Sequence, residues 1–415
     1  MSVRKRTWTT GNGEEKAAWV VDYVDTQGKR RLKTFKLKKQ ADQFSATASV
    51  EVREGVHVAD SASVTVDKAC EFWIRSGEAA GLERSTINQR KRHVKLHIVP
   101  LIGQTLLSKL TVPVIRDFED KLRDKGRSPA MIRKVLGSLG SILSDAQERG
   151  LTVRNPAKEM RARRKGDKRH EGRHKARLRV GEDIPTRDEI KALIGALSGR
   201  WRPMLLVAIF AGLRSSELRG LPWRDVDFEA GTISVRQRAD EFGEIGRPKS
   251  GTSERTIPVP PLVMNALKKW KLAYSRPTIG LHDDGSAIYE DARPEHLVFA
   301  NGAGKVESHA NIINRGLLPT MIAAGVATKT GERDESGQPV LKAKYTGLHA
   351  LRHFYASWCI NRPQDGGLGL PLKIVQERMG HSSITMTADT YGHLFPRMDD
   401  ALEMAAAERS LLGRE

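Results

Sequence analysis

Tyr391 stands in the run Asp389-Thr390-Tyr391-Gly392-His393. A tyrosine can act as a covalent nucleophile when a neighbour accepts its proton, which the free phenol releases only at a pH of about 10. Other residues of the same half of the chain supply what an attack on a phosphate would need. His349 and Arg352, in His349-Ala350-Leu351-Arg352-His353, are three apart and therefore project from one face of a helix toward one cluster of oxygens. Arg214, in Ala211-Gly212-Leu213-Arg214-Ser215-Ser216-Glu217, ends an apolar stretch, where a half-buried guanidinium calls for an anion. His381, in Met379-Gly380-His381-Ser382-Ser383, adds an imidazole at a glycine-marked turn.

Phosphoryl transfer places negative charge on the non-bridging oxygens, and fixed arginine and histidine donors stabilise that charge without a metal. Arg214, Arg352, His349 and His381 suit this role, and a neutral histidine near Tyr391 can take the phenol's proton. The leaving oxygen needs a proton in turn. Lys249, in Arg247-Pro248-Lys249-Ser250-Gly251-Thr252 just before the strand-like Arg255 to Val259, would sit on a hairpin able to give it. No cofactor and no metal is called for.

Arg214, Lys249 and His349 have plainer alternatives. Arg214 can form a structural ion pair with Glu217 or Glu229, and Lys249 can be an ordinary solvent-facing hairpin lysine. His349 and His353 are four apart, the spacing of a zinc pair, but Ala350 stands where a metalloprotease helix carries its glutamate.

The elements that must position these residues follow from periodicity. Residues 181–400 mix helices with short strands: a helical stretch Thr186 to Leu197, an apolar helix Pro203 to Ala211, strand-like Thr232 to Arg236 and Thr256 to Pro258, then helices. Residues 401–415 continue a helical tail that runs from Met398 to Leu412 and can dock on a neighbouring subunit or on its own domain. Residues 63–155 read as four or five helices, with Ser85, Thr111 and Ser128 as caps and Pro113 and Pro129 in first turns. In residues 1–60, Trp19, Val21 and Tyr23 alternate on one strand face, and Asp25-Thr26-Gln27-Gly28 turns the chain into a basic run. A β-hairpin is expected there, followed by a helix from Lys39 to Glu54 that Gly55 ends. Between Lys158 and Arg179, eleven Lys or Arg face three acids, so residues 156–180 read as a basic linker able to lie along phosphates or to serve only as a solvated tether.

Composition sets the class. A chain of 415 residues is long enough for several cores, and no run of about 18 to 20 apolar residues is available to span a bilayer. Cys70 and Cys359 are too few and too far apart for a disulfide framework or a thiolate metal site, and the basic, polar start lacks an export pattern, so a reducing cytoplasmic setting is expected. Lys and Arg outnumber Asp and Glu by 70 to 50, a net charge of +20 that attracts polyanions, nucleic acid foremost.

In order along the chain, Arg214, Lys249, the His-Ala-Leu-Arg-His run at 349–353, Gly-His-Ser-Ser at 380–383 and Asp-Thr-Tyr-Gly-His at 389–393 resemble the motif set of the tyrosine recombinases, the phage-integrase family. The resemblance implies that Arg214, His349, Arg352 and His381 bind the scissile phosphate, Lys249 protonates the leaving 5′ oxygen, and Tyr391 forms a 3′-phosphotyrosine. Ala350 where an acid is frequent, Met379 where leucine is usual and a longer loop at 363–369 are small departures. The implied fold is multidomain, mainly α with small β-sheets: an arm-binding hairpin and helix, a helical SAM-like core-binding domain and a mixed α/β catalytic domain. The implied partners are double-stranded DNA attachment sites, bound by a homotetramer on two sites, with a DNA-bending accessory protein or an excisionase as candidate helpers. The implied activity is integration or excision of a phage or other mobile element. Resolution of chromosome dimers, type IB topoisomerase action, a non-enzymatic DNA-binding regulator and a metal-dependent hydrolase are the alternatives.

Overall fold

The computed structural model describes residues 1–26, 28–54, 59, 62–160, 177–248, 251–273, 278–281, 287–289, 295–333, 335–395 and 400–413. The chain divides into two compact units, Met1–Arg173 and His174–Glu415, and is mainly helical with small sheets in both.

The first unit begins with three antiparallel strands, β1 (Ser2–Thr9), β2 (Glu15–Val24) and β3 (Arg30–Phe35), paired in that order. The expected hairpin is thus β2 and β3 of a larger sheet. β1 escapes sequence reading because its side chains are almost all exposed and it is held by backbone pairing with β2. The helix Lys38–Arg53 packs Ala41 under Val21 and Tyr23, with Phe44 and Val52 at the edge of the cluster, as the spacing predicts. Gly55, the expected stop, lies outside the described residues.

The helical part of this unit runs Val66–Ala79, Arg84–His93, Val112–Asp124 and Pro129–Glu148, around a core that includes Trp73, Ile98, Phe118, Val135 and Leu143. Ser85 is not a cap: Glu83 holds that position and Ser85 lies inside the helix. Thr111 is at the cap position without a side-chain bond, whereas Ser128 accepts from the Met131 N–H at 3.3 Å. The helix Arg84–His93 continues to Ile102 through a π turn, Val94–Ile98. Pro100 stands two residues past its end, and a proline's missing N–H and its ring disrupt the ordinary i to i−4 ladder, which the wider turn accommodates. The same device recurs at Ile312–Leu317, just before Pro319.

Residues 156–160 form a helical turn with Ala157 and Met160 buried in the helical core, so they pack with the first unit instead of belonging to a tether. Most of the expected basic linker, 161–176, lies outside the described residues.

In the second unit the expected helices are Arg187–Ala196, fixed by a Thr186/Glu189 capping box, and Trp201–Ala211. The expected strands are Thr232–Val235 and Arg255–Pro258, which pair antiparallel and extend to Val226–Asp227. A small hairpin, Arg238–Ala239 with Ile245–Gly246, precedes residues 249–250, so Lys249 lies outside the described residues. Helices Leu348–Ile360, Leu372–Met379 and Ile384–Tyr391 follow, and Asp400–Leu412 is helical as the tail predicts. Among the described residues no helix is long and apolar enough to cross a membrane.

Candidate active site

Three helix ends meet in the second unit. The helix Trp201–Ala211 is buried along nearly its whole length and stops at Gly212. Gly212 has φ +57°, and a Cβ there would lie 2.2 Å from the Tyr355 ring, so both backbone conformation and space demand glycine. Two residues later Arg214 caps the short helix Ser215–Arg219. Its backbone N–H donates to Glu217 Oε2 at 2.9 Å and its Nη1 to Glu217 Oε1 at 2.7 Å.

The helix Leu372–Met379 ends at Gly380, also left-handed at φ +60°. Carbonyls at a helix C-terminus lack intrahelical donors and carry partial negative charge. Here three successive carbonyls each receive an arginine. Arg255 Nε donates to Arg378 O at 2.8 Å, Arg352 Nη2 donates to Met379 O, and Arg214 Nη2 donates to Gly380 O at 2.8 Å. Arg352 Nη1 also donates to Gly212 O, tying together the ends of two helices. Arg255 Nη2 donates to Glu217 Oε2 at 2.8 Å, so Glu217 is shared by Arg214 and Arg255. Burial alone would raise the Glu217 carboxyl, but the Arg255 hydrogen bond and charge, with those of Arg214, hold it down at about 2.

The cluster therefore sets three guanidiniums, Arg214, Arg255 and Arg352, against one carboxylate, a local charge of +2. Arg352 is buried, which lowers it to about 10 and still leaves it charged at neutral pH. A cleft beside it is lined by Arg214, Glu217, Arg238, Ser253, Gly380 and Ser382. Pro248, next to Lys249 in sequence, lines the same cleft. Such a surface is built for an anion with several oxygens.

The histidines around it are neutral. Burial, then Arg352 and Arg214, lowers His349. Burial with the same two arginines, in the order Arg352, Arg214, and then Arg255, pushes His381 down to about 4. His381 Nδ1 lies 2.9 Å from the hydroxyl of Thr387, a fully buried residue. If the hydroxyl donates, Nε2 carries the hydrogen and is a neutral donor.

Tyr391 closes the helix Ile384–Tyr391, which starts with Ser383 accepting from Met386 N–H at 3.2 Å. The tyrosine is only 2% exposed. Burial raises its phenol to about 12 although Arg352 and Arg214 pull it back, so it is protonated at neutral pH. Its hydroxyl lies 2.7 Å from His353 Nδ1, and its ring lies parallel to that of His381, with centroids 6.1 Å apart.

Of the six residues expected from sequence, Arg214, His349, Arg352, His381 and Tyr391 come together, and Lys249 falls outside the described residues. The ion pair between Arg214 and Glu217, the plainer alternative for Arg214, forms in the structure. Sequence reasoning gave no role to Arg255, Thr387 or His353, the last weighed only as half of a zinc pair. The signals available were a charged residue opening a short strand, a threonine four residues before Tyr391 and the imidazole next to Arg352.

Residues 185–398, more than half of the chain, match the model of the phage integrase family. The chain is a member of that family. It is also similar to other members. A tyrosine recombinase XerC-like protein of Caldanaerobacter subterraneus subsp. tengcongensis is 25% identical over 413 residues, 95% of this chain and 96% of that protein. The fold resembles that of the Tn1549 transposon integrase in complex with transposon right end DNA, with a TM-score of 0.59 and 20% identity over 84% of this chain and 100% of the other. It also resembles a lambda integrase tetramer bound to a Holliday junction, with a TM-score of 0.51 and 17% identity over 91% and 96% of the two chains.

Proposed function

We propose that this phage-integrase family member is a site-specific DNA recombinase that integrates or excises a mobile element through a Tyr391 phosphotyrosine. The observation that carries the reading is the +2 arginine cluster beside a cleft, with a protonated tyrosine packed against its histidines. A phosphodiester is the anion that such a site would polarise, and a phenol is a nucleophile that can store the backbone bond.

In the proposed reaction Arg214, Arg352 and His381 hold the non-bridging oxygens of the scissile phosphate, with His349 beside them. The Tyr391 hydroxyl gives its proton to a neighbouring neutral histidine as its oxygen bonds to phosphorus and the bond to the 5′ oxygen breaks. The 5′ oxygen takes a proton from Lys249, and a new 5′ hydroxyl later reverses the step, so each exchange is close to energy neutral and uses no ATP. Arg255 and Glu217 do not touch the phosphate in this account and keep Arg214 in place.

The same reading gives roles to the rest of the chain. Residues 1–60 bind arm-type DNA, 63–155 bind the core site, the linker lies along phosphates, 181–400 catalyse, and the tail from 401 docks on a neighbouring subunit or on its own domain. Four subunits would work on two DNA sites, as in the lambda integrase tetramer, with a DNA-bending protein or an excisionase biasing direction.

The test uses a duplex selected from a randomised pool by the full-length protein. A plasmid bearing two copies should yield recombinant circles and Holliday junctions. Relaxation of a single-site plasmid without exchange would replace this reading with that of a topoisomerase.

A further inference from the structure

Tyr391 is protonated and buried, and among the described residues the hydrogen-bonding partner of its hydroxyl is His353 Nδ1 at 2.7 Å. His353 occupies the position next to Arg352 on the helix Leu348–Ile360, one turn on from His349, whose ring it meets edge to face with centroids 5.0 Å apart. The Tyr391 ring is bracketed by two imidazoles, His353 at 5.7 Å and 61° and His381 parallel at 6.1 Å. The two brackets do different things. His381 has its Nδ1 engaged by Thr387 on the nucleophile's own helix, whereas His353 addresses the phenol oxygen itself from the helix that carries Arg352. A phenol has one rotatable hydroxyl and two lone-pair directions, so an acceptor fixed at 2.7 Å sets which way the oxygen can attack.

We infer that His353 is a positioning residue for the nucleophile: its Nδ1 accepts the hydrogen bond of the Tyr391 hydroxyl and thereby aims the phenol oxygen's lone pair at the phosphate held by Arg352. One rigid helix then supplies both the phosphate's buried guanidinium and the phenol's acceptor, so the distance between nucleophile and electrophile is fixed by helix geometry. His353 is neutral, lowered to about 4 by burial, then His349 and Arg352, which leaves a ring nitrogen free to accept. This inference rests on the proposed Tyr391 chemistry and adds a residue to it.

The experiment compares two reactions of the full-length protein on the selected duplex. In the first, a nicked substrate traps the covalent complex and needs Tyr391. In the second, a strand ending in a 3′-(p-nitrophenyl phosphate) is joined to a 5′-hydroxyl strand. There the hydroxyl oxygen bonds to phosphorus as nitrophenolate leaves, which needs the arginine cluster and not the tyrosine. His353→Phe should slow covalent trapping by roughly ten- to a hundredfold while leaving nitrophenyl joining within about twofold. His353→Asn, whose amide oxygen stands close to the position of Nδ1, should recover most of the trapping rate. Equal loss of both reactions in His353→Phe, or no recovery in His353→Asn, would overturn the positioning role in favour of simple support of the helix. Failure of wild type in both reactions on DNA that it binds would instead refute the recombinase reading beneath it.

Discussion

Replacing Glu217 with glutamine should unhinge the arginine cluster at a predictable cost. The carboxylate is buried, with its side chain 2% exposed, and accepts from Arg214 N, Arg214 Nη1 and Arg255 Nη2 at 2.7–2.9 Å. The Arg255 side chain is only 5% exposed, so in the Arg255–Glu217 pair neither group can turn to water. The fall of the Glu217 pKa from 4.5 to about 2, at about 1.4 kcal/mol per tenfold change in proton affinity, corresponds to about 3 kcal/mol of stability. Removing one partner of a buried pair ordinarily costs about 3–5 kcal/mol, and glutamine's remaining acceptor favours the lower figure. For a unit of this size, about 3 kcal/mol lowers the melting temperature by roughly 6–12 °C. Because the folded pKa is depressed, the contribution is fully present above the ordinary pKa of 4.5 and is lost as pH falls toward 2. The gap between wild type and Glu217→Gln should therefore be full at pH 7 and smaller by about 1 kcal/mol at pH 4. Calorimetry of both proteins at the two pH values reads this directly. Equal melting temperatures at pH 7, or a gap that widens in acid, would refute the argument.

Thr387→Val should leave the fold intact while freeing the His381 tautomer, so covalent trapping falls by roughly tenfold as DNA binding stays unchanged, read by gel shift beside trapping. Gly212→Ala forces a left-handed alanine against the Tyr355 ring and should destabilise the second unit by about 2–5 kcal/mol in denaturant titrations. His349, His353 and His381 bind protons less readily when folded than when unfolded, so wild type should lose stability as pH drops from about 6.5 toward about 4, and replacing His353 and His381 with uncharged residues should flatten that loss.

The helices of the site were legible because they carry a period. The spacing of His349 and Arg352 gives one helix face, the Thr186/Glu189 pair gives a helix start, and the glycines at 212 and 380 give the two helix ends on which the arginines converge. Tyr391 and the four residues proposed to hold the phosphate, Arg214, His349, Arg352 and His381, could be singled out because each sits in a short run whose residue types already suggest attack or charge stabilisation. The sharing of Glu217 between Arg214 and Arg255 was not legible, since the two arginines are 41 positions apart and meet only through the sheet Thr232–Val235/Arg255–Pro258. Neither was the row of carbonyls at 378–380, because backbone acceptors leave no mark in a sequence. β1 was missed because backbone pairing holds it with little side-chain burial, and Ser85 was misread as a cap because the helix starts two residues earlier than expected, after Glu83.

The most direct test of the central claim is covalent capture. Full-length protein would be incubated in chelator with a nicked duplex of its selected sequence, wild type beside Tyr391→Phe, and the products resolved on a denaturing gel. A DNA-linked protein band in wild type alone, with the peptide bearing the nucleotide mapped to Tyr391, is the predicted result. A band of equal intensity in Tyr391→Phe, or none in wild type on DNA that it binds, would contradict the account.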